Sequence, residues 1–355
     1  MRAVCRSAET ERPVSGLIVS HGIGFTCFHR GRGVQYGRME KPILTSEPPH
    51  IGPAILPGGR SRVPGAEFLR SRIEAAIFGL TSGAGAPRLN FLEPAGDPGL
   101  FGPDSVCWRV HGDFTIMMIG GVCALLMQAL HPLALAGVWD HSNFREDILG
   151  RLRRTSAFVG GTTFAGKRDA AMLIERVRRV HLQVTGTAAD GRPYSASDPD
   201  LLTWVHVAEH SSFLHSHQRY AGTKLSADEQ DRYYRETALV SEMLGARDVP
   251  KSRAAVEQYL RSMQPQLEYS DRSREVRRIL FSTPAPNAAI KPFSRLFLLA
   301  GEDLLPDWAQ EMMGVQGGEV LRRTVIRPGV RAMAPTFRWA LRNGAAARAQ
   351  LRMRS

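Results

Sequence analysis

FTIMMIGGVCALLMQALHPLALAGVW, residues 114–139, is a run of twenty-six residues without a single Asp, Glu, Lys or Arg. A stretch of that length is long enough to cross a bilayer. Gln128, His131 and Pro132 lie inside it, however, and a proline removes an amide donor and divides a helix. The favoured reading is a central helix packed on all sides, followed by a turn into a second helix, with a membrane-inserted hairpin as the alternative. Either way the chain is built around helices.

The flanking sequence carries the same signature. Residues 66–80, AEFLRSRIEAAIFGL, place Phe68, Ile73, Ala76 and Ile77 near one face of a helix. Residues 79–98 read as a connector, with the organised chain resuming near Phe101. In the segment after Asp140, Leu149, Leu152, Phe158 and Val159 can bury one side of a helix, and KRDAAMLIERVRRVHLQVT (167–185) repeats Met172, Val177, Val180 and Val184 near helical spacing, with Gly186 as its stop. Ser197 or Asp198 caps a helix opened by Pro199, and Ser226 with Glu229 forms a capping-box pattern. Residues 250–263 and 292–313 add helical material. No strand alternation competes, so the expected fold is all-α: a globin-like multi-helix domain over 65–321 with a flexible N-terminal segment.

Glycines and prolines crowd residues 1–60 and oppose regular structure there. Met39 is an alternative start. No long apolar core follows the first basic residues, which predicts cytoplasmic residence with reversible membrane attachment left open. Of the net charge of +12, nine units belong to the arginines of residues 322–355, where no acidic residue occurs, leaving +3 for the rest. The expectation is a basic C-terminal extension, either solvated or in peripheral contact with an anionic membrane. No nucleic-acid-binding signature accompanies it, so no specific nucleic-acid partner is expected. Cys5, Cys27, Cys107 and Cys123 form no CxxC pair, which argues against a disulfide scaffold or a zinc ribbon.

The chemistry lies in histidines. His181 ends VRRVH on a partly apolar helix face, where it is either a core histidine bonded to a carbonyl or carboxylate, or an axial ligand to a haem iron. His206 and His210, four apart, share one face of the next helix with His217 two turns on. HVAEH (206–210) matches an inverted zinc motif in which Glu209 acts as general base; haem-pocket lining and ordinary hydrogen bonding are the other readings. Arg151 and Thr155 are also four apart, beside Arg154, and can orient an oxygen ligand or a carboxylate or else form a helix surface. Arg178 and Arg179 can meet haem propionates or stay solvated. His131 before Pro132 is structural or lines the cofactor, and Asp140 with His141 is either an ordinary polar turn or a hydrogen-bonded pair. Phosphate loops and a nucleophile elbow are absent.

MQALHPLALAGVWDHSNF, GRLRRTSAFV, TTFAG, ERVRRVHLQVTG, YSASDPDLLTWVH and SFLHSHQRY, taken in order, resemble the bacterial and fungal mpaB-like oxygenases, whose catalytic domain is shared with latex-clearing rubber oxygenases. That resemblance implies a globin-like helical domain holding haem b, with His181 as the proximal iron ligand and Arg151 and Thr155 in the distal pocket. Arg154 stands where the rubber oxygenases have lysine, so rubber cleavage itself is not implied. The family's aspartate in the helix after YSASDPD falls at Ser211, with Glu209 and His210 beside it. The expectation is a haem-dependent oxidoreductase acting with dioxygen on an apolar or unsaturated small molecule. Arg178, His206 and His131 are the further cofactor contacts. A haem-binding sensor or storage protein and a peripheral membrane protein without haem are the alternatives.

Overall fold

The computed structural model describes residues 65–81, 89–285 and 291–355. The expectations for residues 1–60, including a start at Met39, lie outside the described residues, as do Cys5 and Cys27. In chain order the elements are α1 (Ala66–Thr81), α2 (Val106–His111), α3 (Phe114–Gln128), α4 (Pro132–His141), α5 (Ile148–Phe164), α6 (Lys167–His181), β1 (Thr185–Thr187), β2 (Pro193–Ser195), α7 (Pro199–Tyr220), α8 (Ala227–Leu244), α9 (Arg253–Met263), α10 (Asp271–Ser282), α11 (Lys291–Asp303) and α12 (Asp307–Met313). Then α13 (Glu319–Leu321) runs through a short π-helical segment into α14 (Arg327–Ala340), and α15 (Ala345–Arg352) follows.

The uncharged run breaks where its chemistry demands. Asp113 opens α3 by accepting from the Ile116 amide at 3.1 Å, and α3 ends at Gln128. At α4 the His131 ring accepts from the Ala134 amide at 3.4 Å, with Pro132 in the first turn, where its missing N–H costs nothing. The two axes bend by 104°. Carbonyls freed at the break are claimed from elsewhere: Ala129 by the Ser273 hydroxyl and Leu130 by the Glu268 amide, both at 2.8 Å. No single described helix is long and apolar enough to cross a membrane; only this bent pair has the length and composition.

The central contact is between α3 and α7. Gly120 permits it, since a Cβ there would lie 2.8 Å from the Phe213 ring and 3.1 Å from the Ser212 carbonyl. Ser216 ties the pair by donating to the Ile116 carbonyl at 2.9 Å. α7 is buried along most of its length and α11 closes on α3, giving an all-α bundle. The predicted caps hold: Asp198 accepts from the Asp200 amide ahead of Pro199, and Ser226 and Glu229 form a complete capping box.

Three local expectations are corrected. α6 ends at His181, and Gly186 lies in β1, opposite Tyr194 of β2 in an antiparallel pair; a Cβ at 186 would meet the Tyr194 ring and hydroxyl. Asp140 and His141 do not bond each other. Asp140 accepts from the Tyr194 hydroxyl at 2.8 Å, while His141 Nε2 lies 3.1 Å from that hydroxyl and from the Thr185 carbonyl. Phe68, expected in the core, is 66% exposed, whereas Ile77 on the same helix is buried.

Residues 322–355, read from sequence as a basic extension, contain α14 and α15, both packed against the helices. Arg322 and Arg327 pair with the fully buried Asp303, Arg338 pairs with Asp113 at 2.6 Å, and the buried Arg352 donates to the carbonyls of Asp97, Phe91 and Phe164. Four of the tail's nine arginines are thereby engaged by groups elsewhere in the fold.

Candidate active site

A cavity of about 1110 Å³ opens among α3, α5, α7 and α11, with Ile77 and Phe78 of α1 and residues 341–350 near the C-terminus completing its wall. This is slightly above the ~300–1,000 Å³ common for small-molecule pockets. Its side chains are mostly apolar because the uncharged α3 supplies Met117, Met118 and Leu125, the amphipathic α5 supplies Leu149 and Leu152, and α7 supplies Phe213. Gly121, unlike its neighbour Gly120, faces open space.

Polar groups interrupt this wall at a few places. Thr155 of α5 retains substantial exposure while lining the cavity. Gln128 donates to the Val205 carbonyl at 3.2 Å. His111 is held at both nitrogens, Nδ1 by the Thr163 hydroxyl and Nε2 by the Tyr233 hydroxyl, each at 2.8 Å. Burial, and then the neighbouring His210, push the His111 pKa well below the usual histidine value, so this histidine stays neutral at physiological pH. Glu209 also lines the wall, and desolvation pushes its carboxyl up to about 7.

Of the residues singled out from sequence, Thr155 lines this cavity and Arg151, Arg154, His181, Arg178, His206 and His131 are not among its wall residues. Arg151 lies one turn before Thr155 and reaches the Ser142 hydroxyl at 3.3 Å, while Arg154 reaches Asn143 at 3.4 Å; both contacts are long. Among the described residues neither arginine has a carboxylate partner within ion-pair distance. Desolvation and then the Arg154 charge depress the Arg151 pKa to about 10.

His181 sits half-buried at the end of α6, with Nδ1 enclosed and without a hydrogen-bond partner; desolvation lowers its pKa. Arg178 is engaged on the surface with Glu175 at 2.8 Å. His206 is buried with Nε2 unpartnered and its ring 4.1 Å from that of His210, centroid to centroid, while His210 Nδ1 donates to the His206 carbonyl. His131 caps α4 and packs against Trp204, and burial followed by the Arg192 charge pushes it down to about 4.

The zinc reading of HVAEH finds no third donor: among the described residues no group of three His, Cys, Asp or Glu side chains converges as a bare metal ion requires. A haem iron asks the protein for as little as one nitrogen. His181, with an enclosed nitrogen lacking a hydrogen-bond partner, and Arg151, with a desolvated guanidinium lacking a carboxylate, offer donor chemistry of the kind such a group uses, and neither lines the cavity.

His111 and the cavity-facing role of Glu209 were not found by sequence reasoning. A signal was present for Glu209, a lone carboxylate within an otherwise uncharged stretch of α7 from Leu201 to Leu214. His111 had none, because its partners Thr163 and Tyr233 are distant in the chain.

Neither a curated protein nor a solved structure matches the chain. A family profile does, that of the ER-bound oxygenase mpaB/B'/Rubber oxygenase, catalytic domain, over residues 108–339. This range spans α3, α5 and α7, which supply much of the cavity wall, and His181. The chain belongs to that oxygenase family.

Proposed function

We propose that the protein is a haem-dependent oxygenase that uses dioxygen to oxidise an apolar or unsaturated organic molecule held in the cavity between α3, α5 and α7. The observation that carries this reading is the large apolar chamber with the Thr155 hydroxyl on its wall, within a chain of an oxygenase family. A globin-like arrangement of the helices around haem b belongs to the same proposal.

Haem b, when bound, supplies a redox-active iron able to activate dioxygen. His181, half-buried at the end of α6 with an unpartnered nitrogen, would hold it. Arg151 offers fixed donors to an anionic oxygen, and Thr155, one turn away, offers a hydroxyl that can rotate between donor and acceptor roles. The methionine and leucine walls bind an apolar substrate and exclude water. His206, a buried histidine whose Nε2 lacks a hydrogen-bond partner, is the alternative ligand.

The test is the absorption spectrum and pyridine-haemochrome content of the protein expressed with ample haem, beside His181→Ala and His206→Ala. Stoichiometric haem in the parent, lost or spectrally altered in His181→Ala and retained in His206→Ala, is the expected result. A folded parent without haem overturns the proposal, and the converse pattern moves the ligand to His206. Reversible oxygen binding with no oxidation of any alkene offered identifies a sensor or storage protein instead.

A further inference from the structure

Glu209 is a half-buried carboxylate within a mostly buried stretch of α7. It lies in the middle of α7 between the buried Ala208 and His210, so the surface it retains belongs to the cavity that it lines. It is the one carboxylate among the described wall residues. Neither of its oxygens has a hydrogen-bond or ion-pair partner among the described residues. The polar side chain nearest to hand in sequence is spent, because His210 Nδ1 donates to the His206 carbonyl. His111, on the same wall, has both nitrogens engaged with Thr163 and Tyr233. Desolvating a carboxyl without a donor is costly, and the surroundings leave the cavity's solvent or its occupant to supply one.

We propose that Glu209 is the specificity-determining group of this cavity, accepting a hydrogen bond from its ligand, so that the ligand is an apolar molecule bearing a hydroxyl, phenol or amine. Bare hydrocarbons leave the carboxyl without a donor, and a ligand carboxylate placed at Glu209 meets a like charge, the wall's cation being Arg348 near the C-terminus. The proposal rests on the reading of the cavity as the substrate chamber. It assigns the polar end of that substrate to α7 and leaves its apolar body against α3 and α5. Recognition of this kind discriminates strongly, since a buried polar group left unpaired costs more than a missing methylene.

The test uses the full chain, expressed with haem, and three probes sharing one alkyl chain: 1-decanol, 1-methoxydecane and decanoate, titrated by calorimetry at pH 8. We expect 1-decanol to bind about tenfold more tightly than 1-methoxydecane, the scale of one buried hydrogen bond. In Glu209→Leu the preference for the alcohol falls to within about twofold. In the near-isosteric Glu209→Gln, whose amide can donate, decanoate binding improves relative to the parent. Thermal melts of each variant establish that it is folded, and Glu209→Gln carries the test if Glu209→Leu does not fold. No preference in the parent, an undiminished preference in Glu209→Leu, or no binding of any probe overturns the proposal. Haem content is read on the same samples: an intact preference without haem counts against the oxygenase reading alone, and stoichiometric haem without a preference counts against Glu209 alone.

Discussion

At the scale of single residues, the molecule keeps several titratable groups where solvation is poor, and each leaves a signature in the pH dependence of stability. The Glu209 carboxyl is raised by desolvation from 4.5 to about 7, so the folded chain holds that proton more tightly than the unfolded chain. The resulting stabilisation is fully present below the unfolded value of 4.5 and is lost as pH rises through about 7. Glu209→Gln removes the titration. Its stability relative to the parent should therefore increase between pH 5 and pH 8, by on the order of 2 kcal/mol after allowing for solvent in the cavity, and level off above. Urea melts at the two pH values measure this, and a difference that does not change with pH would show the carboxyl to be solvated. Arg151 and His181 show the same tension between burial and charge.

At the scale of elements, two adjacent glycines of α3 have opposite jobs. Gly120 is the point of closest approach to α7, and a methyl there meets the Phe213 backbone at 3.0 Å; Gly121 faces the cavity and has nothing within 4 Å. Gly120→Ala should destabilise the fold by about 1–3 kcal/mol, the usual cost of overpacking a tight contact, whereas Gly121→Ala should leave stability unchanged or slightly raised, since alanine is the better helix former. Paired denaturant melts decide it, and equal destabilisation of the two variants would contradict the α3–α7 packing. The small β1–β2 hairpin works by a similar economy. Gly186 leaves room for Tyr194, whose hydroxyl reaches back to Asp140 at the end of α4.

At the scale of the whole molecule, Asp303 is the fastening that joins the C-terminal helices to the bundle. Its side chain is fully buried and meets Arg219 of α7 at 3.2 Å, Arg322 at 3.5 Å and Arg327 of α14 at 2.9 Å. Removing one member of such a cluster leaves poorly compensated charge in a low-dielectric setting. Asp303→Asn should cost about 3–5 kcal/mol and make the chain near Glu319 more susceptible to proteolysis. Melts and limited proteolysis read these effects, and a variant as stable as the parent would show the arginines to be solvated. Because residues 341–350 complete the cavity wall, the same fastening helps close the chamber.

The sequence by itself determined what local contacts control. Pro132 had to divide the apolar run, Pro199 could only open a helix, and Ser226 with Glu229 could bond each other at three residues' separation; the structure has all three features because each depends on atoms within one helical turn. The ordered motifs around Arg151, Thr155 and His181 carried the family for a related reason, since spacing along a helix preserves which face a side chain occupies. Only the tertiary structure decided which of those faces meets the cavity. Thr155 lines it and Arg151 turns to Ser142, a distinction set by how α5 rolls against its neighbours. It decided as well that Phe68 is exposed while Ile77 is buried, and that Glu209 faces the chamber without a partner. The basic tail is the clearest case. Composition counts nine arginines without an acid, but Arg322, Arg327 and Arg338 find Asp303 and Asp113 in other elements, and charge compensation through space is invisible until the chain has folded.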